Sequence, residues 1–140
     1  MRRWVAISIM CLTVATAGLA QDARLRRLDT GVDAGAWEAV GRLDIGGKGF
    51  CTGALIAPRL VLTAAHCLYD RESKQRIDHG EVEFLAGWRN GRAGAYRNVR
   101  RAVVHPDYVY DGVVSSDRVR NDLALLELDR PIRNTKKACW

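Results

Sequence analysis

Short runs of apolar and β-branched residues, each ended by Gly, Asp, Asn or Pro, follow one another from Trp37 to Leu128. The region lacks a long helical periodicity, and short runs bounded by turn residues are typical of strands. The pattern predicts strands over residues 37–45, 49–56, 60–63, 81–88, 96–105 and 123–128. Several short strands at close spacing favour an all-β fold, either an antiparallel sandwich or a barrel.

The segments between these strands differ in character. Residues 64–69 fit a short helical turn better than a strand. Residues 70–80 are charged and predict an exposed loop. Residues 108–121 predict a second loop, which leads directly into the most apolar strand of the chain.

The first 20 residues have the order of a secretory signal peptide. A positive start at Arg2 and Arg3 precedes an apolar stretch and a run of small residues that ends at Ala20. The apolar stretch is too short for a spanning helix, which needs about 20 apolar residues. We therefore expect a cleaved leader, a secreted or periplasmic protein, and no membrane association after cleavage; the alternative is an uncleaved anchor. Residues 21–36 predict a pro-segment or mobile arm.

Composition narrows the class of protein. Removal of the leader leaves about 120 residues, which is the size of one domain. The chain is 48% hydrophobic and 27% charged, as in an ordinary folded protein. Its net charge of +6 falls to +4 without the two leader arginines, and an excess this small does not indicate a nucleic-acid partner.

The chain contains four cysteines. If the protein is exported, they can form disulfides, because an oxidising compartment lets thiols pair. Cys11 is lost with the leader, and a disulfide between Cys51 and Cys67 would stabilise the fold by about 3 kcal/mol. Cys139 is then left over, which indicates an intermolecular bond, a free thiol or a chain that does not end where its fold does. Cys51, His66 and Cys67 lack the paired spacing of a zinc site, so we expect no metal and no cofactor.

Two motifs carry the candidate chemistry. Thr63-Ala64-Ala65-His66-Cys67 comes first, and Asn121-Asp122-Leu123-Ala124-Leu125-Leu126 follows later in the chain. Together with the segments 50–56 and 104–108, they resemble the trypsin-like (chymotrypsin-fold) serine proteases over residues 37–132. The resemblance implies a six-stranded antiparallel β-barrel over residues 37–133, the first of the family's two barrels. It also implies a disulfide between Cys51 and Cys67.

The resemblance assigns roles to His66 and Asp122. A serine hydroxyl is a weak nucleophile and needs an adjacent base, and an imidazole can accept and return a proton near neutral pH. His66 would be that base, and Asp122 the carboxylate that orients it. The simpler alternatives are a packed core histidine and an aspartate that only caps a strand.

The family combines the histidine and the aspartate with a nucleophilic serine, and these 140 residues lack that serine at the expected place. The resemblance places the nucleophile in a Gly-Asp-Ser-Gly-Gly motif on a second barrel, after the aspartate. Here Ser73, Ser115 and Ser116 precede Asp122, and no serine follows it. We therefore expect a secreted serine endopeptidase represented by its His/Asp half, with the second barrel absent and residues 134–140 a tail outside the family. Such a chain would be inactive alone and would act on protein or peptide substrates only if completed.

A second hypothesis is a non-catalytic binding module that uses a basic patch. The patch would consist of five arginines: Arg89, Arg92, Arg97, Arg100 and Arg101. Alternating charges on a solvated strand face explain the same residues. A lone barrel would also leave exposed the apolar face that normally packs on its partner.

Overall fold

The computed structural model describes residues 34–111 and 115–133. The predicted leader, most of the predicted arm, the tail at 134–140, Cys11 and Cys139 lie outside these ranges. The described part contains six strands: β1 Val40–Ile45, β2 Gly49–Ala57, β3 Leu60–Thr63, β4 Val82–Ala86, β5 Ala95–Val104 and β6 Ala124–Leu128.

Helical structure in the described ranges is short. Three 3₁₀ helices cover Gly35–Trp37, Ala65–Leu68 and His79–Glu81, and one α-helix, α1, covers Ser116–Arg120. No helix within residues 34–111 and 115–133 is long and apolar enough to cross a membrane.

The six strands form one closed barrel in the order β1-β2-β3-β6-β5-β4. Every neighbouring pair is antiparallel, including the pair of β1 with β4 that closes the barrel. Closure gives every strand a hydrogen-bonded neighbour on each side. The expected all-β fold with a six-stranded antiparallel barrel is confirmed.

Side-chain alternation fills the barrel from all sides. The largest fully buried residues come from several strands and one turn: Leu43, Leu55, Val61, Leu68, Val82, Phe84, Leu126 and Leu128. Burial of one such side chain contributes about 1.5–3 kcal/mol relative to leaving it exposed. In β6 the apolar run is split by the pleat, because Leu126 and Leu128 point inward while Leu125 is 37% exposed.

Gly41 allows the core to close around Phe84. A Cβ on Gly41 would lie 2.5 Å from the Leu85 carbonyl oxygen and 2.6 Å from the Phe84 ring. Such distances are well inside van der Waals contact, so any other residue here would displace the ring or the neighbouring strand. The position therefore requires glycine for packing.

Two predicted elements differ from the observed ones. The first strand begins at Val40 and not at Trp37, because residues 35–37 form a 3₁₀ helix and Trp37 is exposed. The predicted loop 108–121 contains α1. The Ser115 hydroxyl accepts a hydrogen bond from the backbone N–H of Arg118, and Asp117 and Arg120 complement the two ends of the helix dipole.

Candidate active site

His66 lies on a short turn at the end of β3. The Thr63 hydroxyl donates to the Thr52 carbonyl at 2.8 Å, which ties the end of β3 to β2. The chain then enters the 3₁₀ helix, in which Ala65, Cys67 and Leu68 are buried. Because these three side chains face the core, His66 is directed outward, with 43% of its side chain exposed. The predicted helical turn at 64–69 is thus present, and it presents the histidine.

A disulfide between Cys51 and Cys67 fastens this turn to the barrel. The bond joins the residue after His66 to β2, with a Cα–Cα distance of 6.1 Å. The disulfide expected from the resemblance is confirmed. It closes a chain segment that includes β2 from Cys51 onward and all of β3, so it restricts the unfolded chain as well as the native turn.

Asp122 reaches the site from a longer connection between β5 and β6. The backbone N–H of His105 donates to the Leu123 carbonyl at 2.9 Å, which pairs the two ends of the connection. The Asn121 side-chain amide donates to the Asp107 carbonyl at 3.3 Å. Asp122 therefore stands where α1 ends and β6 is about to begin, with 20% of its side chain exposed.

The Asp122 carboxylate accepts two hydrogen bonds from His66. One oxygen, Oδ2, lies 2.7 Å from His66 Nδ1, and the other, Oδ1, accepts from the His66 backbone N–H at 2.8 Å. A carboxylate can only accept, so Nδ1 must carry the ring proton. In the neutral ring Nε2 is then unprotonated and free to accept a proton from another group.

His66 borders a groove with a volume of about 970 Å³. The disulfide, Phe50, Tyr69 and the charged loop over residues 70–78 form its walls. A second groove of about 960 Å³, lined by Trp37, Trp88 and Ile132 among others, contains neither His66 nor Asp122. Of these two grooves, the first places open volume next to the imidazole.

A group of side chains that was not predicted from the sequence packs beside the His66–Asp122 pair. Tyr69, Tyr108, Tyr110 and Arg118 contact one another between the histidine turn and α1. Tyr108 is buried at the start of the predicted loop 108–121, and this burial raises its pKa. The available signal was the presence of two tyrosines within a polar, charged loop, since large aromatic residues in such loops commonly pack on something.

Cys51, His66 and Cys67 also form a cluster of potential metal ligands within 4.8 Å of one another. Both sulfurs belong to the disulfide, and only a thiolate is an effective metal ligand. In this oxidised state the imidazole is the single member of the cluster that retains a ligating atom.

Three of the five arginines of the second hypothesis take part in ion pairs or hydrogen bonds. Arg100 and Arg101 both pair with Glu127, at 2.7 Å and 3.2 Å. A bulge in β5 between Val99 and Arg101 explains why two consecutive residues face the same side. Arg97 donates to the carbonyls of Tyr96 and Pro131.

The barrel and its His66–Asp122 pair define a class, the trypsin-type serine proteases. The trypsin family model matches residues 30–140, and the chain belongs to this family. The motifs at His66 and Asp122 both lie within the matched range.

Two curated relatives cover similar parts of the chain. It is 36% identical over 86 residues to "Serine protease filzig" of Drosophila melanogaster, covering 61% of this chain and 5% of the relative. It is 37% identical over 86 residues to "Trypsin" of Phaedon cochleariae, covering 59% of this chain and 29% of the relative. The chain thus spans less than a third of the length of either relative.

Solved structures give the same fold. A Glu endopeptidase in complex with MPD matches with a TM-score of 0.55 and 25% identity, over 67% of this chain and 40% of that one. The VesB protease of Vibrio cholerae matches with a TM-score of 0.56 and 22% identity, over 74% of this chain and 30% of that one. The barrel described here corresponds to a part of each structure.

Proposed function

We propose that this chain supplies the base and the orienting carboxylate of a secreted serine endopeptidase, with His66 as the base and Asp122 as the carboxylate. The observation that carries the proposal is the pair of hydrogen bonds from His66 to one carboxylate, at 2.7 Å and 2.8 Å. They hold the ring in the tautomer that leaves Nε2 able to take a proton. A histidine that only packed in a core would need neither this carboxylate nor its own exposure.

The chemistry follows from that tautomer. As a serine oxygen attacks the peptide carbonyl, its proton passes to Nε2 of His66, and the oxygen forms the new bond to carbon. The ring is then a cation, and Asp122 stabilises it across the Nδ1–H hydrogen bond. Nε2 next gives its proton to the leaving amine as the carbon–nitrogen bond breaks. Water repeats the cycle with the acyl group and regenerates the serine.

The serine is proposed to come from a second barrel that is not among these 140 residues. The hydroxyl of Ser73 donates to Asp70 at 3.0 Å, and that of Ser115 caps α1. Neither serine is hydrogen-bonded to His66 within the described ranges. We therefore propose that the 140-residue chain does not hydrolyse peptides by itself.

An apolar strip on the outside of the barrel supports a packed partner of this kind. Val103 and Leu125 are paired across β5 and β6, and both are exposed, as is Leu123. Clustered apolar residues on an outer sheet face are typical of a surface that another unit covers. The binding-module alternative lacks comparable support, because Arg100 and Arg101 are paired with Glu127.

A fluorophosphonate probe, which reacts with activated serines, tests the proposal. The full chain alone should remain unlabelled, and stoichiometric labelling of any serine would contradict its inactivity. The same chain fused ahead of the serine-bearing barrel of a trypsin-family relative should be labelled. His66→Ala should abolish that labelling, whereas the exposed His79→Ala should not. Labelling that survives His66→Ala would refute the role of the histidine.

The nucleotide sequence after the codon for Trp140 provides an independent test. A reading frame that encodes Gly-Asp-Ser-Gly-Gly would support a protease of which this chain is the first half. A monodisperse product of these 140 residues, without such a frame, would support the binding module instead. Recovery of the product from the medium or periplasm, with residues 1–20 removed, would test the proposed secretion.

A further inference from the structure

Three tyrosines and one arginine form a continuous set of contacts above the His66–Asp122 pair. We call Tyr69, Tyr108, Tyr110 and Arg118 the tyrosine–arginine clamp. Tyr69 stacks on Tyr110 with ring centroids 5.1 Å apart and planes 14° from parallel, and it meets Tyr108 at 5.8 Å. The Arg118 guanidinium lies 4.6 Å from the centre of the Tyr110 ring, and its Nε is 3.4 Å from the Tyr108 hydroxyl.

The clamp joins the backbone beside His66 to the backbone beside Asp122. Tyr69 follows His66 by three residues, and its N–H donates to the His66 carbonyl at 3.2 Å. Arg118 belongs to α1 and precedes Asp122 by four residues, and the Asp122 N–H lies 3.4 Å from the Val119 carbonyl. A movement of α1 would therefore carry Asp122 with it, and the clamp resists such movement relative to the histidine turn.

The position of α1 depends on contacts made by side chains. The helix has five residues and none of them is buried, so core packing does not hold it. Cation–π and ring-stacking contacts supply attraction beyond buried area, and they act only at short range. A hydrogen bond such as that between Nδ1 and Oδ2 weakens steeply with displacement, so a small shift of the helix would be enough to disturb it.

We propose that Tyr110 and Arg118 are positioning residues, which hold Asp122 at the distance and orientation that keep the His66 proton on Nδ1. The relevance to catalysis rests on the proposed function, but the clamp acts on a hydrogen bond that exists without a nucleophile. Its test can therefore be made on the full 140-residue chain, and its failure would leave the protease assignment intact. Conversely, loss of the protease assignment would leave the clamp measurable.

The test measures the tautomer of His66 by nitrogen-15 NMR, at a pH high enough that imidazole rings are neutral. In the unmodified chain the Nδ1–H form should dominate. Tyr110→Leu removes the ring on which both Tyr69 and Arg118 pack, and we expect the ratio of Nδ1–H to Nε2–H forms to fall about ten-fold. Tyr110→Phe keeps the ring and should restore the original ratio.

Tyr96→Leu is the matched control, because Tyr96 is an exposed tyrosine of β5 outside the clamp. It should leave the tautomer ratio unchanged. The dispersion of the barrel amide signals reports whether each variant is folded. If Tyr110→Leu loses the fold, Arg118→Met and Arg118→Lys decide the question, with a shifted ratio for Met and a largely preserved ratio for Lys.

An unchanged tautomer ratio in folded Tyr110→Leu, or in folded Arg118→Met, would overturn the proposal. An equal shift in Tyr110→Phe and Tyr110→Leu would overturn it as well, since the stacking ring would then be irrelevant. A merely structural role would lower the stability of these variants without moving the ratio in the folded state.

Discussion

The histidine turn, residues 64–69, and the aspartate loop, residues 105–123, each deliver one partner of the same hydrogen bond, but they are held by different means. The histidine turn is a 3₁₀ helix with three buried side chains and a disulfide to β2. The aspartate loop contains α1, which buries none of its residues. Its contacts to the rest of the molecule are the stacking of Tyr110 on Tyr69, hydrogen bonds between His66 and Asp122, and the burial of Tyr108 in the core.

The two partners of the His66–Asp122 hydrogen bond are therefore held in place differently, His66 with covalent support and Asp122 by non-covalent contacts alone. His66 is located by the core and by a covalent bond, so its position follows the stability of the barrel. Asp122 is located by a loop whose contacts lie mostly near the surface, with Tyr108 as its buried member. Substitutions of the exposed residues of the aspartate loop should therefore affect the pair more than the fold, and removal of the disulfide should affect the fold more than the pair.

The largest effect is expected for the pair itself. In trypsin, the type example of this triad, replacing the aspartate by Asn lowers turnover about 10⁴-fold. We adopt that figure for Asp122→Asn in the chain fused to a serine-bearing barrel, because the amide would donate to Nδ1 and reverse the tautomer. Peptide hydrolysis provides the measurement, with Asp107→Asn as a loop control. A loss below about ten-fold would mean that Asp122 does not orient His66.

The disulfide should account for the next largest effect, and it acts on the histidine turn. Cys51→Ser combined with Cys67→Ser should lower the free energy of unfolding by about 3 kcal/mol, from the entropy of the released loop. Urea unfolding of the full chain measures the change. The oxidised chain treated with a thiol reductant is the matched comparison and should show a similar loss. Equal midpoints with and without the bond would contradict covalent support for this turn.

A smaller effect is expected at the start of α1. Ser115→Ala removes the cap that accepts the Arg118 N–H at 3.2 Å, and it should cost about 1 kcal/mol of stability in the aspartate loop. Hydrogen exchange of the α1 amides follows this local change. Ser116→Ala, one residue later and inside the helix, should leave the exchange rates nearly as they are. Equal protection losses in the two variants would argue against the cap.

The smallest effect concerns pH and the loop beyond the histidine turn. Hydrogen bonds from the Ser73 backbone and hydroxyl lower the pKa of Asp70 from 3.8. Because the folded pKa lies below the unfolded one, the contribution to stability is present above pH 3.8 and is lost as the pH falls toward the folded pKa. Asp70→Asn should make the urea midpoint slightly less dependent on pH in this acidic range. If the pH dependence of the urea midpoint is unaltered, the hydrogen bonds of Asp70 in this turn do not contribute to stability.

Part of the site could be predicted from local sequence, and part could not. His66, Cys67 and Asp122 lie in short motifs of consecutive residues, which can be recognised in the sequence. The contact between His66 and Asp122 spans 56 positions, so only the resemblance to a family pointed to it. The tyrosine–arginine clamp could not be predicted in either way. Its four members come from two separate segments and form no consecutive motif, and the resemblance did not point to their contacts.

The arginines of β5 also show that the sequence pattern alone does not predict which face of a strand a side chain occupies. Regular alternation would place Arg100 and Arg101 on opposite faces of the strand. The bulge between Val99 and Arg101 brings both to Glu127, so these two arginines share one carboxylate partner. A bulge depends on the register of the neighbouring strand, and register is a property of the pair and not of either strand.

The sequence by itself determined approximately where the strands lie and which two residues are the candidates for base and carboxylate. Each of these is a local property, expressed by side-chain alternation or by adjacent residues. Only the tertiary structure decided the closure of the barrel between β1 and β4, the tautomer of His66 and the clamp above it. These depend on contacts between residues far apart in the chain, and such contacts form only once the closed barrel brings the loops together.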